Sequence, residues 1–330
     1  MLTLASHLSK KNQVDIFWDD PSIKAPLTRF LKINLSKVAF KQNIFKGKLL
    51  QKLTSTRAYD LLFVLSDGSI PLTLASKNIL HFQVPFKFES LSFYTKLKLK
   101  RYQHVVVNSQ FTKSFIDKSF RINSTVIYPP TDVKSIKAAN KEKIIFSVGR
   151  FSANQLHPKK QEVLIDVFKE LSKKTPGWKL ILAGQAKKTD QKYTRMLKKI
   201  SRDHAINIRE NLSSRDLRKI YSTASVYWHA TGFGEDEAKN PERMEHFGIS
   251  TVEASAAGAV PVVINKGGQK EIVSHGKNGF LWDTKTELYN LTLDLINNED
   301  LLKKLAKAAQ KSSKRFSQDR FIREYEKIIF

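Results

Sequence analysis

The sequence predicts an α/β protein with parallel sheets, on three observations. Short β-rich runs alternate with helical stretches from one end to the other. Those runs are nearly continuous in apolar residues, as strands covered by helices on both faces must be. The chain has 330 residues, about twice a typical domain, with 41% apolar residues and 21 Phe to fill two cores. In the first half the expected strands are Val14–Trp18, Asp60–Leu65, Ile79–Phe82, Val105–Val107 and Val126–Tyr128. In the second they are Lys143–Val148, Lys179–Ala183, Ile206–Arg209, Val226–His229 and Val260–Ile264. Between them, Glu162–Leu171 carries Val163, Leu164, Val167, Phe168 and Leu171 at helical spacing, and Leu217–Ala224 follows a Ser213–Ser214 cap. Pro129–Pro130 and the polar stretch to Lys141 form the expected linker. The expected domains are therefore 1–140 and 141–316. A helix over 317–330, amphipathic through Phe321, Tyr325, Ile328 and Ile329, is expected to pack back toward the first.

Composition removes several classes. The absence of Cys excludes disulfides, thiolate nucleophiles and zinc–thiolate sites, and suits a cytoplasmic protein. No apolar run reaches the roughly 18–20 residues that span a bilayer, and Met1–Leu8 lacks the charged start and long apolar centre of a signal peptide. The formal net charge is +26, of which +14 falls in residues 1–140 and +12 in the rest. Nucleic acid, an anionic membrane face and phosphorylated small molecules are the partners such charge attracts. A lysine-rich compositional bias gives the same number without a partner.

The most informative segment runs from Glu245 to Pro261. Phe247–Gly248 is expected to turn into a helix over Ile249–Ala257, ended by Gly258. Gly248 lets an anion approach the amides of that helix start closely, which makes a phosphate site. Glu245 precedes the helix and Glu253 lies about one turn inside it. Two acceptor-only carboxylates flanking a phosphate cradle can each take sugar hydroxyl hydrogens, one on each side of a diphosphate. Upstream, Phe146–Ser147–Val148–Gly149–Arg150 reads as a strand with a glycine turn, with Lys159–Lys160 just before the helix containing Phe168. An Arg at a strand end and a Lys at a helix start can together neutralise a diphosphate. The loop Thr231–Glu237 is acidic and Gly-rich, reads as mobile, and has no metal-ligand spacing.

The Glu245-to-Glu253 spacing, followed by Val262–Val263–Ile264–Asn265–Lys266–Gly267–Gly268, resembles the E-x7-E signature of retaining GT-B glycosyltransferases of family 4. Leu180–Gly184 and the block from Ser213 to Val226–Ala230 also match that family in order. In the first half, Val105–Lys113 and Val126–Asp132 look like the segments that end its acceptor domain. The resemblance implies two Rossmann-like domains with parallel sheets facing a cleft, and a hexosyltransferase working from a nucleotide-diphosphate sugar. It implies catalytic roles for Glu245, Arg150 and Lys159, the diphosphate lysine being Lys159 rather than Lys160. It implies donor contacts from Gly149, Gly184, Phe247, Gly248, Ile249, Glu253, Gly267 and Gly268. His81, where the family often has a histidine at a strand end facing the cleft, is expected to orient the sugar or help with the acceptor proton, against a satisfied structural histidine. No permanently bound cofactor and no metal are expected.

One departure stands out. The family opens with a strand and a Gly-rich loop before its first helix, and Leu2–Leu8 stands where that helix would be. Either coding begins upstream of Met1 or the enzyme lacks both features. The expected acceptor is a glycan or a polyprenyl-linked, lipid-bound one of the kind used for cell-envelope polysaccharide. Peripheral attachment to the inner membrane face is expected through Tyr94–Arg101, which follows Phe86, Phe88, Leu91 and Phe93. The rival readings are a non-catalytic GT-B relic that binds nucleotide-sugar, and a basic nucleic-acid-binding protein. The second needs a groove-reading helix or aromatic–basic sheet that the sequence does not display, so nucleic acid is not an expected partner.

Overall fold

A computed structural model describes residues 1–87 and 91–330; Phe88 of the proposed membrane segment lies outside them. The strands are β1 (Val14–Phe17), β2 (Val38–Lys41), β3 (Leu61–Ser66), β4 (Lys77–Phe82), β5 (His104–Val107), β6 (Thr125–Val126), β7 (Glu142–Val148), β8 (Lys179–Gly184), β9 (Ile206–Glu210), β10 (Ala224–His229), β11 (Val260–Ile264) and β12 (Phe280–Trp282). The helices are α1 (Leu2–Leu8), α2 (Lys24–Leu31), α3 (Leu49–Arg57), α4 (Phe93–Leu99), α5 (Gln110–Phe120), α6 (Gln161–Ser172), α7 (Gln191–Ile200), α8 (Ser214–Thr223), α9 (Ile249–Ala256), α10 (Gln269–Ile272), α11 (Lys285–Asn297), α12 (Glu299–Ser313) and α13 (Gln318–Ile329). Every expected strand is present; β2 and β12 are additions. The chain folds into two compact units. The first is Met1–Asn108, Thr112–Pro130 and Gln318–Phe330, and the second is Ser109–Phe111 and Thr131–Ser317.

The first unit is Rossmann-like, with parallel strands in two sheets: β1 beside β2, and β3-β4-β5-β6 in that order. Its central strand β4 is buried from Asn78 to Phe82, with Ile79, Leu80 and Phe82 filling the core and Asn78 and His81 as its buried polar residues. Helix α13 belongs to this unit. Its Phe321 and Tyr325 are buried against Leu4, Ile79, Val106 and Ile127, the contacts its amphipathic face requires. The Lys77 ammonium donates to the Ile329 carbonyl (2.7 Å) near its C-terminus, where such a donor satisfies an unpaired carbonyl.

The second unit is a six-stranded parallel sheet in the order β12-β11-β10-β7-β8-β9. Strands β10 and β11 are buried at every residue, and helices α6, α11 and α12 contribute Leu164, Phe168, Leu288 and Leu305 to the core around Trp228. The unit boundary falls at Pro130–Thr131, ten residues before the expected one at 140. The polar stretch is fastened to the second unit: the Thr131 amide donates to Phe316, the Ala139 amide donates to Ser222, and Ile136 is buried. Polarity alone did not show those backbone bonds.

Candidate active site

In the second unit the chain lays β7, β8 and β9 to one side, then returns to place β10, β11 and β12 on the other. The loops leaving the C-terminal ends of β7 and β10 therefore part company, and a crevice opens outside those ends. Glu245, the loop after β7 and the start of α9 are tied together there by the bonds described next.

The Oε2 atom of Glu245 accepts from the Lys159 ammonium (2.7 Å) and from Nε2 of His229 (2.9 Å), the last residue of β10. Burial by itself would raise the Glu245 carboxyl, but Lys159 and the His229 bond overcome it and hold the group well below the ordinary glutamate range. The same burial pushes His229 down despite its carboxylate partner, so the ring is neutral and donates through Nε2–H. Lys159 reaches Glu245 because Gly149 makes room for its stem: a Cβ there would lie 2.5 Å from Lys159 Cγ. Lys160, with φ at +53°, caps α6 and turns instead to Glu235 (3.0 Å).

Helix α9 starts at Gly248, whose φ is +116° and whose place no capping side chain fills. Its first amides are thus left for a ligand or water. Ile249 is partly exposed at 45%, while Ser250 Oγ accepts from the Tyr227 hydroxyl (2.8 Å). Inside the helix, Glu253 Oε2 accepts from the Tyr221 hydroxyl (2.9 Å) on α8. Burial pushes the Glu253 carboxyl up, with the Tyr221 bond opposing it. Gly267 and Gly268 back the loop from below. The Gly268 amide donates to the Glu245 carbonyl (2.8 Å), and a Cβ on Gly268 would lie 2.4 Å from Phe247 Cα. Gly184, closing β8, approaches Gly149 so nearly that a Cβ would sit 1.9 Å from its carbonyl oxygen.

Glu245, Lys159, Gly149, Gly248 and Gly268 are thus joined by contacts, with Glu253 one turn along α9 from Gly248. Arg150 follows Gly149, is exposed and makes no ion pair among the described residues. The Phe247 ring is turned inward onto Phe316 (5.1 Å between centroids), which leaves its backbone to the site. The acidic loop is pinned rather than mobile. Glu235 binds Lys160 and Arg243, and Glu237 accepts from Lys270 (2.7 Å) and the Gly267 amide (2.8 Å). Among the described residues no group of three His, Cys, Asp or Glu is placed to hold a metal ion.

His81 sits elsewhere, in the first unit. It is 3% exposed, and its Nδ1 lies 2.8 Å from the Tyr325 hydroxyl of α13. Burial pushes it down to about 3. This is the setting of a satisfied structural histidine, because α13 covers the end of β4 where an open face was expected. Sequence reasoning missed His229, Tyr221 and His157, whose ring lies 5.0 Å from that of His246. His229 did carry a signal: a polar residue closing an otherwise apolar central strand.

The fold is that of a GT-B protein, an α/β chain of two Rossmann-like units. A family model, that of the glycosyl transferases group 1, matches residues 130–312, and the chain belongs to this family of enzymes. Among solved structures it resembles a glycosyltransferase from Rickettsia africae ESF-5 at 17% identity and TM-score 0.79, over 99% of this chain and 92% of that one. It also resembles Anabaena Alr3699/HepE in complex with UDP, at 18% identity and TM-score 0.75, over 99% and 94%. Among curated relatives, the GDP-Man:Man(3)GlcNAc(2)-PP-Dol alpha-1,2-mannosyltransferase of Dictyostelium discoideum is 28% identical over 68% of this chain and 46% of its own length. The Homo sapiens protein of the same name is 27% identical over 66% and 46%. The chain thus matches less than half the length of these two relatives.

Proposed function

We propose that the chain is a retaining glycosyltransferase of family 4 that moves mannose from GDP-mannose to a lipid-linked glycan. The observation that carries this is the Lys159–Glu245–His229 cluster at the switch point of the second sheet, tied through Gly268 to the loop that leads into the uncapped start of α9. The mannose and the lipid-linked acceptor rest on the names of the mannosyltransferase relatives.

The chemistry follows from the charges. As the bond from the anomeric carbon to the diphosphate breaks, its electron pair leaves with the phosphate oxygen. Arg150, Lys159 and the α9 amides meet that growing charge. Lys159 keeps donors to spare, since an ammonium has three and Glu245 accepts one. Both contacts on Glu245 fall on Oε2, so Oε1 remains for a sugar hydroxyl. Glu253, with Tyr221 on its Oε2, offers Oε1 to the ribose. The acceptor hydroxyl then attacks the oxocarbenium-like centre from the face the diphosphate leaves, and its proton passes to the departing phosphate. No separate strong base is required, and no metal is assigned.

The test is transfer from GDP-mannose by Arg150→Ala and Glu253→Ala. Loss of a charge that meets the diphosphate is expected to slow turnover by about 10²–10³; unchanged turnover in both variants sinks the assignment. Donor identity is read by thermal shift with GDP-, UDP- and ADP-sugars. Ligand at about 100 times its Kd adds about 2.7 kcal/mol to stability, so GDP-mannose is expected to raise Tm most.

A further inference from the structure

Among the described residues the Arg150 guanidinium is exposed and makes no ion pair, yet the backbone that carries it is held on both sides. The Gly149 amide donates to the Ala183 carbonyl (2.9 Å) and the Phe151 amide to the Gln185 carbonyl (2.9 Å), which fastens the turn to β8 and the residue just past it. Between those amides stand the carbonyls of Gly149 and Arg150. Both accept from Nε2 of Gln161, at 3.3 and 3.1 Å. The Arg150 carbonyl, with two lone pairs, also accepts from Gln155 Nε2 (3.3 Å).

The position of Gln161 explains this contact. It opens α6, and helix side chains lean toward the N-terminus, so its amide reaches back over the end of β7. It is buried, and its amide nitrogen carries two hydrogens, one for each carbonyl. Its Oε1 lies 2.9 Å from the Tyr193 hydroxyl on α7, which also lies 2.6 Å from Glu162 Oε2. Burial, with Glu162 beside it, pushes the Tyr193 hydroxyl up, so it stays protonated and donates. A donor on the oxygen side fixes which way the amide faces. Turned over, Gln161 would set its own oxygen against two carbonyl oxygens.

An arginine gives up rotamer freedom when it meets a ligand, and its help is greatest when it is in place before charge develops. Displacing such a group by about 1 Å costs on the order of 10²-fold in rate. We propose that Gln161 is a positioning residue for departure of the diphosphate: its amide clamps the carbonyls of Gly149 and Arg150, and Tyr193 keeps that amide the right way round. The exposed Arg150 side chain then leaves from a fixed point. The inference rests on the role given to Arg150 in the transferase reading.

The experiment is a double-mutant cycle on wild type, Gln161→Leu, Arg150→Ala and the double variant. Each is measured by calorimetric affinity for GDP and UDP, and by kcat and KM with GDP-mannose or UDP-glucose, whichever matches the tighter nucleotide. Gln161→Leu keeps the volume and loses the donors. It is expected to lower kcat about tenfold with KM changed less than about threefold, and to weaken nucleotide binding in step with kcat. In the Arg150→Ala background the same substitution is expected to change kcat less than about twofold. Tyr193→Phe, which leaves Gln161 in place, is expected to cost about threefold and to lose its effect in that background too; it decides the matter should Gln161→Leu not fold. Wild-type kcat in Gln161→Leu, or losses that multiply in the double variants, overturns the positioning role and leaves the transferase reading standing. Arg150→Ala with unchanged binding and turnover, or a wild type that binds neither nucleotide, overturns both.

Discussion

At the scale of single residues, Lys159 and His81 lead to opposite tests of burial. Lys159 neutralises Glu245 in a site where their side chains are 14% and 17% exposed. The depressed Glu245 carboxyl contributes stability above its unfolded value of 4.5, and that contribution is lost as pH falls through the folded value. In Lys159→Met the buried carboxylate keeps only a neutral histidine, and burial then raises its pKa. A loss of about 2–3 kcal/mol at pH 7 is expected, somewhat below that for a fully buried pair. The loss should shrink toward pH 5, where the carboxyl takes up a proton. Urea unfolding at both pH values measures it; equal stability of variant and wild type at pH 7 removes the ion pair from the account. His81 is the reverse case, a histidine lowered from 6.5 to about 3. The unfolded state binds the proton first, so the contribution is whole above pH 6.5 and drains away down to about 3. The loss reaches roughly 4–5 kcal/mol at the acid end. His157, lowered to about 4, shares the window. His81→Asn, which can still accept from Tyr325, is expected to flatten the pH dependence of the urea midpoint between pH 4 and 6 without abolishing it. An unaltered slope counts against the assignment.

At the scale of elements, the two ends of α9 offer a matched pair. Gly248 has φ +116° and a Cβ position 2.8 Å from Gln269 Nε2; Gly258 has φ +79° and one 3.1 Å from Gln310 Nε2. Alanine at either position is strained by about 1–3 kcal/mol. Gly248→Ala is expected also to cut the thermal shift with GDP-mannose, whereas Gly258→Ala lowers Tm and keeps the shift. Equal shifts would detach the helix start from the donor. The same helix shows what was legible. Its start, its end and the two glutamates were readable because a glycine brackets each end of an apolar run. Strands β10 and β11 were readable because burial on both faces keeps Val226–Trp228 and Val260–Ile264 free of charged residues. Strand β2 escaped because Val38–Lys41 is four residues ending in lysine, and β12 because Phe280–Trp282 is only three. The partners of Glu245 and Glu253 escaped for another reason: His229 and Tyr221 arrive from β10 and α8, and chain spacing does not encode which strands become neighbours. The burial of His81 escaped likewise, since the helix that covers it lies 244 residues further along.

At the scale of the molecule, four of the 57 basic residues behind the net charge of +26 lie in or just beyond helix α4 of the first unit. Phe93 and Tyr94 are 75% and 74% exposed and Leu97 is 51% exposed, an apolar surface that water disfavours. Lys96, Lys98, Lys100 and Arg101 run through and just beyond the same helix. Among the described residues no helix is long and apolar enough to cross a membrane. From the exposed aromatics and neighbouring bases alone, we propose that this patch lies on a lipid surface. Aromatic side chains there sit at the headgroup level while the lysines meet anionic lipid, each worth about 1 kcal/mol near the surface. That reading, with attachment to the inner leaflet where a lipid-linked acceptor is presented, fixes the expected behaviour in co-sedimentation. The chain pellets with vesicles containing phosphatidylserine, remains in solution with phosphatidylcholine alone, and is released as salt shortens the screening length. Replacing Lys96, Lys98 and Lys100 together by Gln is expected to lower the partition coefficient by roughly 10² at low salt. Phe93→Ser with Tyr94→Ser weakens binding in a way that salt does not mimic. Donor hydrolysis in solution should be unchanged in all these variants, because the residues replaced lie outside the second unit. If binding is indifferent to anionic lipid and to salt, the charge on α4 is a solvated surface, and the proposed attachment through this helix is withdrawn.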